Sequence, residues 1–222
     1  MTEEQLSFST AGGDTTAYVA RPNGDDAARA VILIHEWWGL NDHVKDIANR
    51  YAAEGFIAIA PDLYRGHIAT NPEDASRMMK ELAIEDGLDT IRSCIDSARE
   101  RYGLSHFGIT GYCMGGTFAL RAACEVEGVS AAAPFYGDIP GDDVLQKLKV
   151  PTVFISGTRD QWINTEKVGT LEDAAERFEL PLQSVKYDAD HAFFNDTRPE
   201  VYNESAARDA WALVVGFFKD KI

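Results

Sequence analysis

Short apolar runs rich in branched residues alternate along this chain with segments of helical periodicity, and Gly, Pro and Asp separate them. Two runs split by Ala11-Gly12-Gly13-Asp14 predict an antiparallel hairpin at a sheet edge. The full pattern predicts strands at 5–10, 15–20, 30–34, 56–60 (ended by Pro61), 107–110, 130–135, 151–156 and 182–187, and helices at 41–54, after Asn71-Pro72, and at 87–102, 116–126, 142–147, 164–178 and about 201–219.

Regular alternation of strand and helix predicts the α/β class, with a mostly parallel central sheet and helices on both faces. No linker or internal repeat interrupts the pattern, so we expect one domain over residues 1–222. Sites in such sheets form beyond the carboxyl ends of the strands. Four reactive side chains follow strands directly, namely Glu36, Cys113, Asp160 and His191.

The segment Gly111-Tyr112-Cys113-Met114-Gly115 stands between a predicted strand and a predicted helix. It matches the nucleophile elbow, a sharp strand-to-helix turn, with cysteine in place of serine. Glycines at 111 and 115 allow a bend at which larger side chains would collide with neighbouring elements. The helix N-terminus favours a thiolate at Cys113. We therefore expect Cys113 to be the nucleophile, whereas Cys94 and Cys124 lie within helices as packing residues.

A cysteine nucleophile needs a base, and histidine fits best. His191 lies in a polar loop after the final strand, where a nucleophile–acid–histidine chain order places the imidazole. His35 also follows a strand and is the rival base. Asp160, in the loop after strand 151–156, is the favoured acid to orient the imidazole, with Asp190 as the alternative.

Acyl transfer also needs donors directed at the developing oxyanion. The backbone N–H groups of Met114, which follows the nucleophile, and of Trp37, in the loop after strand 30–34, are the natural candidates.

At this point the sequence resembles the dienelactone hydrolase family of the α/β-hydrolase fold. The matching segments are His35-Glu36-Trp37-Trp38-Gly39-Leu40-Asn41, Ala60-Pro61-Asp62-Leu63-Tyr64, Gly111 to Gly116, Asp160 and His191-Ala192-Phe193. The resemblance implies the Cys113/Asp160/His191 triad and a Glu36 that contacts the resting cysteine until substrate displaces it. A carboxylate beside a thiol also opposes ionisation on chemical grounds. The alternative for Glu36 is a residue that caps its own loop.

The resemblance further implies arginines that grip a substrate carboxylate, one just after the triad histidine and one in the connection after Asp-Leu-Tyr. Here Asn195 occupies the neighbourhood of His191, and the arginines available are Arg198, Arg65 and Arg77. The aromatic residues Trp37, Trp38, Tyr64, Phe193 and Phe194 are candidates to line an apolar pocket or to belong to the core.

Charge narrows the range of partners. The 36 acidic and 21 basic residues give a formal net charge of −15, which repels nucleic acid and anionic lipid surfaces. The acidic N-terminus lacks a signal-peptide pattern, no apolar stretch is long enough to span a membrane, and the three scattered cysteines read as reduced thiols, so we expect a cytoplasmic protein. No motif indicates a metal or an organic cofactor, and the sequence does not indicate an oligomeric state.

The function expected from these residues is hydrolysis of a small ester or lactone through a thioester on Cys113. Two other classes stay open. One is a ligand-binding protein on the same fold without efficient hydrolysis. The other is a thiol redox sensor at the same cysteine.

Overall fold

A computed structural model describes residues 1–24 and 29–222 of the chain. Its elements, in chain order, are β1 (Thr2–Thr10), β2 (Gly13–Arg21), β3 (Ala30–Ile34), α1 (Asp42–Ala53), β4 (Ile57–Pro61), α2 (Pro72–Glu81), α3 (Ile84–Tyr102), β5 (Phe107–Tyr112), α4 (Met114–Glu125), β6 (Val129–Phe135), α5 (Asp142–Leu145), β7 (Thr152–Gly157), α6 (Thr165–Arg177), β8 (Leu182–Tyr187) and α7 (Glu204–Lys221).

One eight-stranded sheet runs through the molecule in the order β1-β2-β4-β3-β5-β6-β7-β8. The hairpin β1–β2 is antiparallel and joins the sheet through an antiparallel β2–β4 pair. All pairs from β4 to β8 are parallel. The carboxyl ends of β3, β5, β7 and β8 therefore meet at one edge of the sheet, and the α/β class with a mostly parallel sheet is confirmed.

The sheet is buried on both faces at its centre, where β3 and β4 are apolar at every position. In β3 all five side chains are buried; Ile32 and Ile34 face one core, whereas Val31 and Leu33 face the other. The first core includes the buried faces of α3, α4 and α6, and the second includes those of α1 and α7. Helices cover both faces, as expected.

Element boundaries differ from the expected ones where glycine or proline misled the pattern. Pro61 is the last residue of β4 rather than its end signal, and it stands opposite Ala17 of β2. Helix α3 begins at Ile84 instead of residue 87, because Gly87 lies inside the helix and makes room for the Phe118 ring. Helix α4 begins at Met114, directly after the cysteine of the elbow.

Two further properties concern the described residues only. Among them, no group of His, Cys, Asp and Glu side chains is arranged to hold a metal ion. No helix within that part of the chain is long and apolar enough to cross a membrane.

Candidate active site

Cys113 occupies a sharp turn between β5 and α4. Its backbone angles, φ 55° and ψ −116°, lie in a region that non-glycine residues seldom adopt, so the turn is strained. A side chain at Gly111 would overlap the carbonyl of Gly115, and one at Gly115 would overlap the carbonyl of Ile34. The glycines of the elbow are thus required by close approach of the backbone, as the sequence indicated.

His191 and Asp160 meet across two loops at this edge of the sheet. Nδ1 of His191 lies 2.6 Å from Oδ2 of Asp160, and the second carboxylate oxygen accepts hydrogen bonds from the backbone N–H groups of Trp162 and Ile163. Although burial raises the pKa of Asp160, the hydrogen bond and charge of His191 and these N–H groups outweigh it and lower the pKa overall. An ionised Asp160 can therefore fix the imidazole with Nε2 directed away from it.

The alternative base and acid are engaged elsewhere. His35 is fully buried; its Nε2 accepts from the N–H of Leu63 at 3.1 Å, which leaves Nδ1 as the donor to the carbonyl of Glu36 at 2.7 Å. Burial lowers the pKa of His35, so this neutral ring links two loops. Asp190 contacts Arg159 at 3.3 Å rather than an imidazole.

The sulfur of Cys113 rests as a thiol in this arrangement. Burial and, after it, the nearby carboxylate of Glu36 together raise the pKa of Cys113 to about 12, although a hydrogen bond from the backbone of Met114 acts in the opposite direction. The expectation that the helix N-terminus favours a thiolate is therefore corrected for the resting site. Desolvation and the negative charge of Glu36 outweigh the hydrogen bond from Met114 at the start of the helix.

Glu36 is buried, and its side chain reaches across the site instead of capping its own loop. Oε2 accepts a hydrogen bond from Nδ2 of Asn195 at 2.7 Å. The amide oxygen of Asn195 accepts in turn from the Thr197 backbone N–H at 3.1 Å and from the Thr197 hydroxyl at 2.6 Å, which fixes the orientation of the amide. Burial raises the pKa of Glu36, and Asn195, His191 and Arg198 reduce that rise.

A cavity of about 470 Å³ opens onto these groups. The residues that line it are Glu36, Trp37, Trp38, Cys113, Arg159, Asp160, Gln161, Trp162, Asp190, His191, Ala192, Arg198, Glu200 and Val201. The structure thus brings together Cys113, Asp160, His191 and Glu36 from loops that lie far apart in sequence. Nε2 of His191 is buried here and makes no hydrogen bond within the described residues.

The candidate oxyanion donors are both close to the cysteine loop. Trp37 lines the cavity, and its backbone N–H makes no hydrogen bond among the described residues. Met114 follows Cys113 directly as the first residue of α4, and a hydrogen bond from its backbone lowers the pKa of Cys113. The side chain of Met114 is fixed by Tyr64, whose hydroxyl lies 3.2 Å from the methionine sulfur.

The expected substrate-binding residues divide into two groups. Trp38 and Arg198 line the cavity, but Arg65, Arg77 and Phe193 do not. Arg65 turns toward the β1–β2 hairpin and reaches the Thr10 hydroxyl at 3.2 Å. Arg77, on the exposed side of α2, pairs with acidic residues of its own helix.

Phe193 and Tyr64 are buried residues beneath the site. Phe193 is fully buried and packs against the rings of Tyr136 and Tyr187, so it belongs to the core. Tyr64 likewise supports Met114 and does not line the cavity. Apolar periodicity cannot separate an aromatic residue of the pocket from one of the core, which explains both placements.

Sequence reasoning missed Asn195 as the partner of Glu36 and Trp162 as part of the cavity. Asn195 stands in the expected loop, but an asparagine in a loop carries no distinctive signal, and its contact spans 159 positions. Trp162 is 64% exposed, and its ring meets the His191 imidazole edge-on with centroids 5.1 Å apart. A large aromatic residue two positions after a candidate acid was the available clue.

A mostly parallel α/β sheet with a strained cysteine elbow and a buried aspartate–histidine pair defines a hydrolase of the α/β-hydrolase fold. Residues 15–222 match the model of the dienelactone hydrolase family. The chain therefore belongs to the dienelactone hydrolase family, as the sequence motifs indicated, and that family defines its enzyme class as a hydrolase of esters or lactones.

Individual relatives agree with this assignment. The chain is 36% identical over 228 residues to the "Putative carboxymethylenebutenolidase" of Aquifex aeolicus (strain VF5), with 97% of each chain covered. It is 34% identical to "Protein usf" of Aquifex pyrophilus, with 98% of each covered. A crystal structure described as a "Putative Dienelactone Hydrolase" from Klebsiella pneumoniae superimposes with a TM-score of 0.89 at 27% identity, covering 99% of both chains.

Proposed function

We propose that the chain hydrolyses small carboxylic esters or lactones with Cys113 as nucleophile, His191 as base and acid, and Asp160 as the residue that orients the imidazole. One observation supports this most directly. The Asp160–His191 hydrogen bond of 2.6 Å leaves a buried Nε2, without a hydrogen-bond partner in the described part of the chain, at the cavity that Cys113 also lines. A nucleophile, a base and an orienting acid are the parts that acyl transfer requires.

In the proposed reaction Nε2 of His191 takes the thiol proton as the sulfur attacks the substrate carbonyl carbon. The carbonyl oxygen becomes an oxyanion, which the N–H groups of Met114 and Trp37 stabilise. As the tetrahedral intermediate collapses, the C–O bond breaks and His191 gives its proton to the leaving alkoxide. Water, deprotonated by the same imidazole, then cleaves the thioester and restores the thiol.

Glu36 has an auxiliary part in the proposal. Its carboxylate opposes ionisation of Cys113 in the empty site, and substrate that displaces it removes this opposition. The raised pKa of Cys113 also argues against the redox-sensor alternative, since sensor cysteines are accessible thiolates.

The proposal is tested by steady-state hydrolysis of aryl acetates and simple lactones. Cys113→Ala should lose all turnover above the uncatalysed rate, while Cys124→Ala, which removes a half-buried cysteine of α4 outside the cavity, should retain it. Rapid quenching followed by mass spectrometry should detect an acyl group on Cys113. Turnover by Cys113→Ala, or an acyl group on another residue, would contradict the proposed mechanism.

A further inference from the structure

The charges that line the catalytic cavity bear on the substrate it accepts. Two arginines are the cations that surround the cavity, apart from His191 itself. Arg159, which lies in the loop that carries Asp160, contacts Asp188 at 2.5 Å and Asp190 at 3.3 Å. A substrate carboxylate would have to replace one of these partners to bind it.

Arg198 is also paired with an acidic residue. Its Nε lies 2.8 Å from Oε1 of Glu200, and both residues line the cavity. Arg198 lines the same cavity as Glu36 and Cys113, and its charge lowers the pKa of both groups. Glu200 therefore occupies the Nε donor of Arg198 and places a negative charge beside the guanidinium that a substrate anion would have to approach.

The hydrogen-bond partner of Glu36 leaves further negative charge in the cavity. Glu36 is held by the neutral amide of Asn195, so no direct cation contact cancels its charge. Four carboxyl groups, those of Glu36, Asp160, Asp190 and Glu200, face the cavity beside two arginines that are already paired. Like charges brought together out of water are strongly unfavourable, so an anionic substrate meets repulsion from the wall of the cavity.

The cavity offers aromatic surface instead. Trp37 and Trp38 contact each other edge-to-face with centroids 5.2 Å apart, and both line the cavity. Trp162 lines it too, although 64% of its surface is exposed. Its backbone is fixed by the hydrogen bond to Asp160 at 2.7 Å, so the ring is held beside the imidazole at the cavity mouth.

We propose that this site selects uncharged esters or lactones that carry an aromatic ring, which stacks on Trp162, and discriminates against substrates that carry a carboxylate. The proposal rests on the proposed function, because it assigns a substrate class to the same catalytic residues. The reaction at the substrate carbonyl is the one proposed above. The selection comes from Glu36 and Glu200 and from the tryptophans, all of which line the cavity.

The charge arm compares 4-acetoxybenzamide with 4-acetoxybenzoate, which differ in an amide or a carboxylate on the same ring. With each rate normalised to hydroxide-catalysed hydrolysis, kcat/KM should favour the amide by about tenfold or more. Glu200→Gln should narrow this ratio severalfold by freeing Arg198. Glu81→Gln, which removes the carboxylate partner of Arg77 outside the cavity, should leave the ratio unchanged.

The aromatic arm compares benzyl acetate with ethyl acetate. Trp162→Ala should lower kcat/KM for benzyl acetate by about tenfold, because the substrate ring loses an aromatic contact and the surface buried in it. The value of kcat/KM for ethyl acetate, which has no ring, should fall by about twofold at most. Because Trp162 is mostly exposed, this variant should fold normally. Ile68→Ala, a change at an exposed apolar residue outside the cavity, should affect neither substrate.

The outcomes separate the two proposals. If no substrate is hydrolysed by the wild-type protein, the proposed function fails. If esters are hydrolysed but the carboxylate substrate is equal to or better than the amide, or if Trp162→Ala affects both acetates alike, the substrate class is wrong and the proposed function stands. A preference for the amide together with a selective effect of Trp162→Ala supports both.

Discussion

At the scale of single residues, Glu36 links the protection of the thiol to the stability of the fold. It is buried, faces Cys113 and His191 through its charge, and depends on one amide for its hydrogen bond. Its replacement by glutamine keeps the shape and lets the new side chain still accept from Asn195. Differences between the Glu36→Gln variant and the wild type therefore reflect the loss of a charge rather than a change in packing.

Alkylation of Cys113 should be faster in Glu36→Gln than in the wild type. Glu36 is the second cause, after burial, of the raised pKa of Cys113, so its neutralisation increases the thiolate fraction at a given pH. We expect the iodoacetamide rate at about pH 8 to rise by about threefold or more. Cys113→Ala in the same background corrects for labelling of Cys124, and an unchanged rate would disprove the coupling.

The stability of the wild type should fall relative to Glu36→Gln as pH rises. Because burial raises the pKa of Glu36 in the folded state, the folded protein holds the proton more tightly than the unfolded chain. Stability is therefore lost as pH rises above the ordinary pKa of 4.5, and the glutamine variant escapes this loss.

Thermal unfolding at about pH 4 and about pH 8 measures this difference. The melting temperatures of the two proteins should be close at the lower pH, and Glu36→Gln should be higher by about 2–4 °C or more at the upper pH. Glu81→Gln, at an exposed carboxylate, should show no such divergence. A gap that stays constant with pH would show that ionisation of Glu36 is not its source.

At the scale of elements, the sequence specifies the turns that present the candidate site. Chain order and the rule that sites follow parallel strands lead to Cys113, Asp160, His191 and Glu36, and the structure brings these four to one cavity. The orientation of each side chain was not accessible from the pattern. Arg65 and Phe193 follow the right strands but turn away, because their direction depends on packing that periodicity does not encode.

Contacts between loops are the other feature that could not be predicted from the sequence. Asn195 and Glu36 are paired through the folding of the whole sheet, and neither residue type signals the other. Boundary errors had a related cause, since glycine and proline usually mark the ends of elements. Here Gly87 lies inside α3 against the Phe118 ring, and Pro61 is paired within β4 opposite Ala17.

The elbow should tolerate no side chain at Gly115. Gly115→Ala places a methyl group into the carbonyl of Ile34, which is backbone and cannot move aside cheaply. We expect a loss of about 3 kcal/mol or more in the free energy of unfolding, measured by urea denaturation. Gly169→Ala in α6 is the matched control, because nothing lies near its new methyl group.

That control should stabilise the protein by about 0.4–1 kcal/mol, since alanine reduces the freedom of the unfolded chain and favours the helix. Equal effects of the two changes would mean that the elbow is less tightly packed than the structure shows.

At the scale of the whole molecule, the net charge of −15 acts on stability beyond any single pair. Most ion pairs, such as Arg99–Asp96 and Lys167–Asp138, are exposed and contribute little. Repulsion among the excess carboxylates is therefore the larger electrostatic effect.

Added salt should stabilise the protein, because it screens this long-range repulsion more than it weakens the exposed pairs. The melting temperature in sodium chloride should rise between about 0.01 M and about 0.15 M. Sodium and potassium chloride should act alike if screening is the cause. A fall in melting temperature would mean that the ion pairs dominate instead.

The loop between β8 and α7 supplies both His191 and Asn195. The proposed base and the amide that holds Glu36 are therefore absent from a nascent chain until translation has passed residue 195. Shorter nascent chains carry the thiol of Cys113 without the imidazole that we propose activates it. A truncation upstream of this loop would remove the proposed base and would also leave the carboxylate of Glu36 without its amide partner.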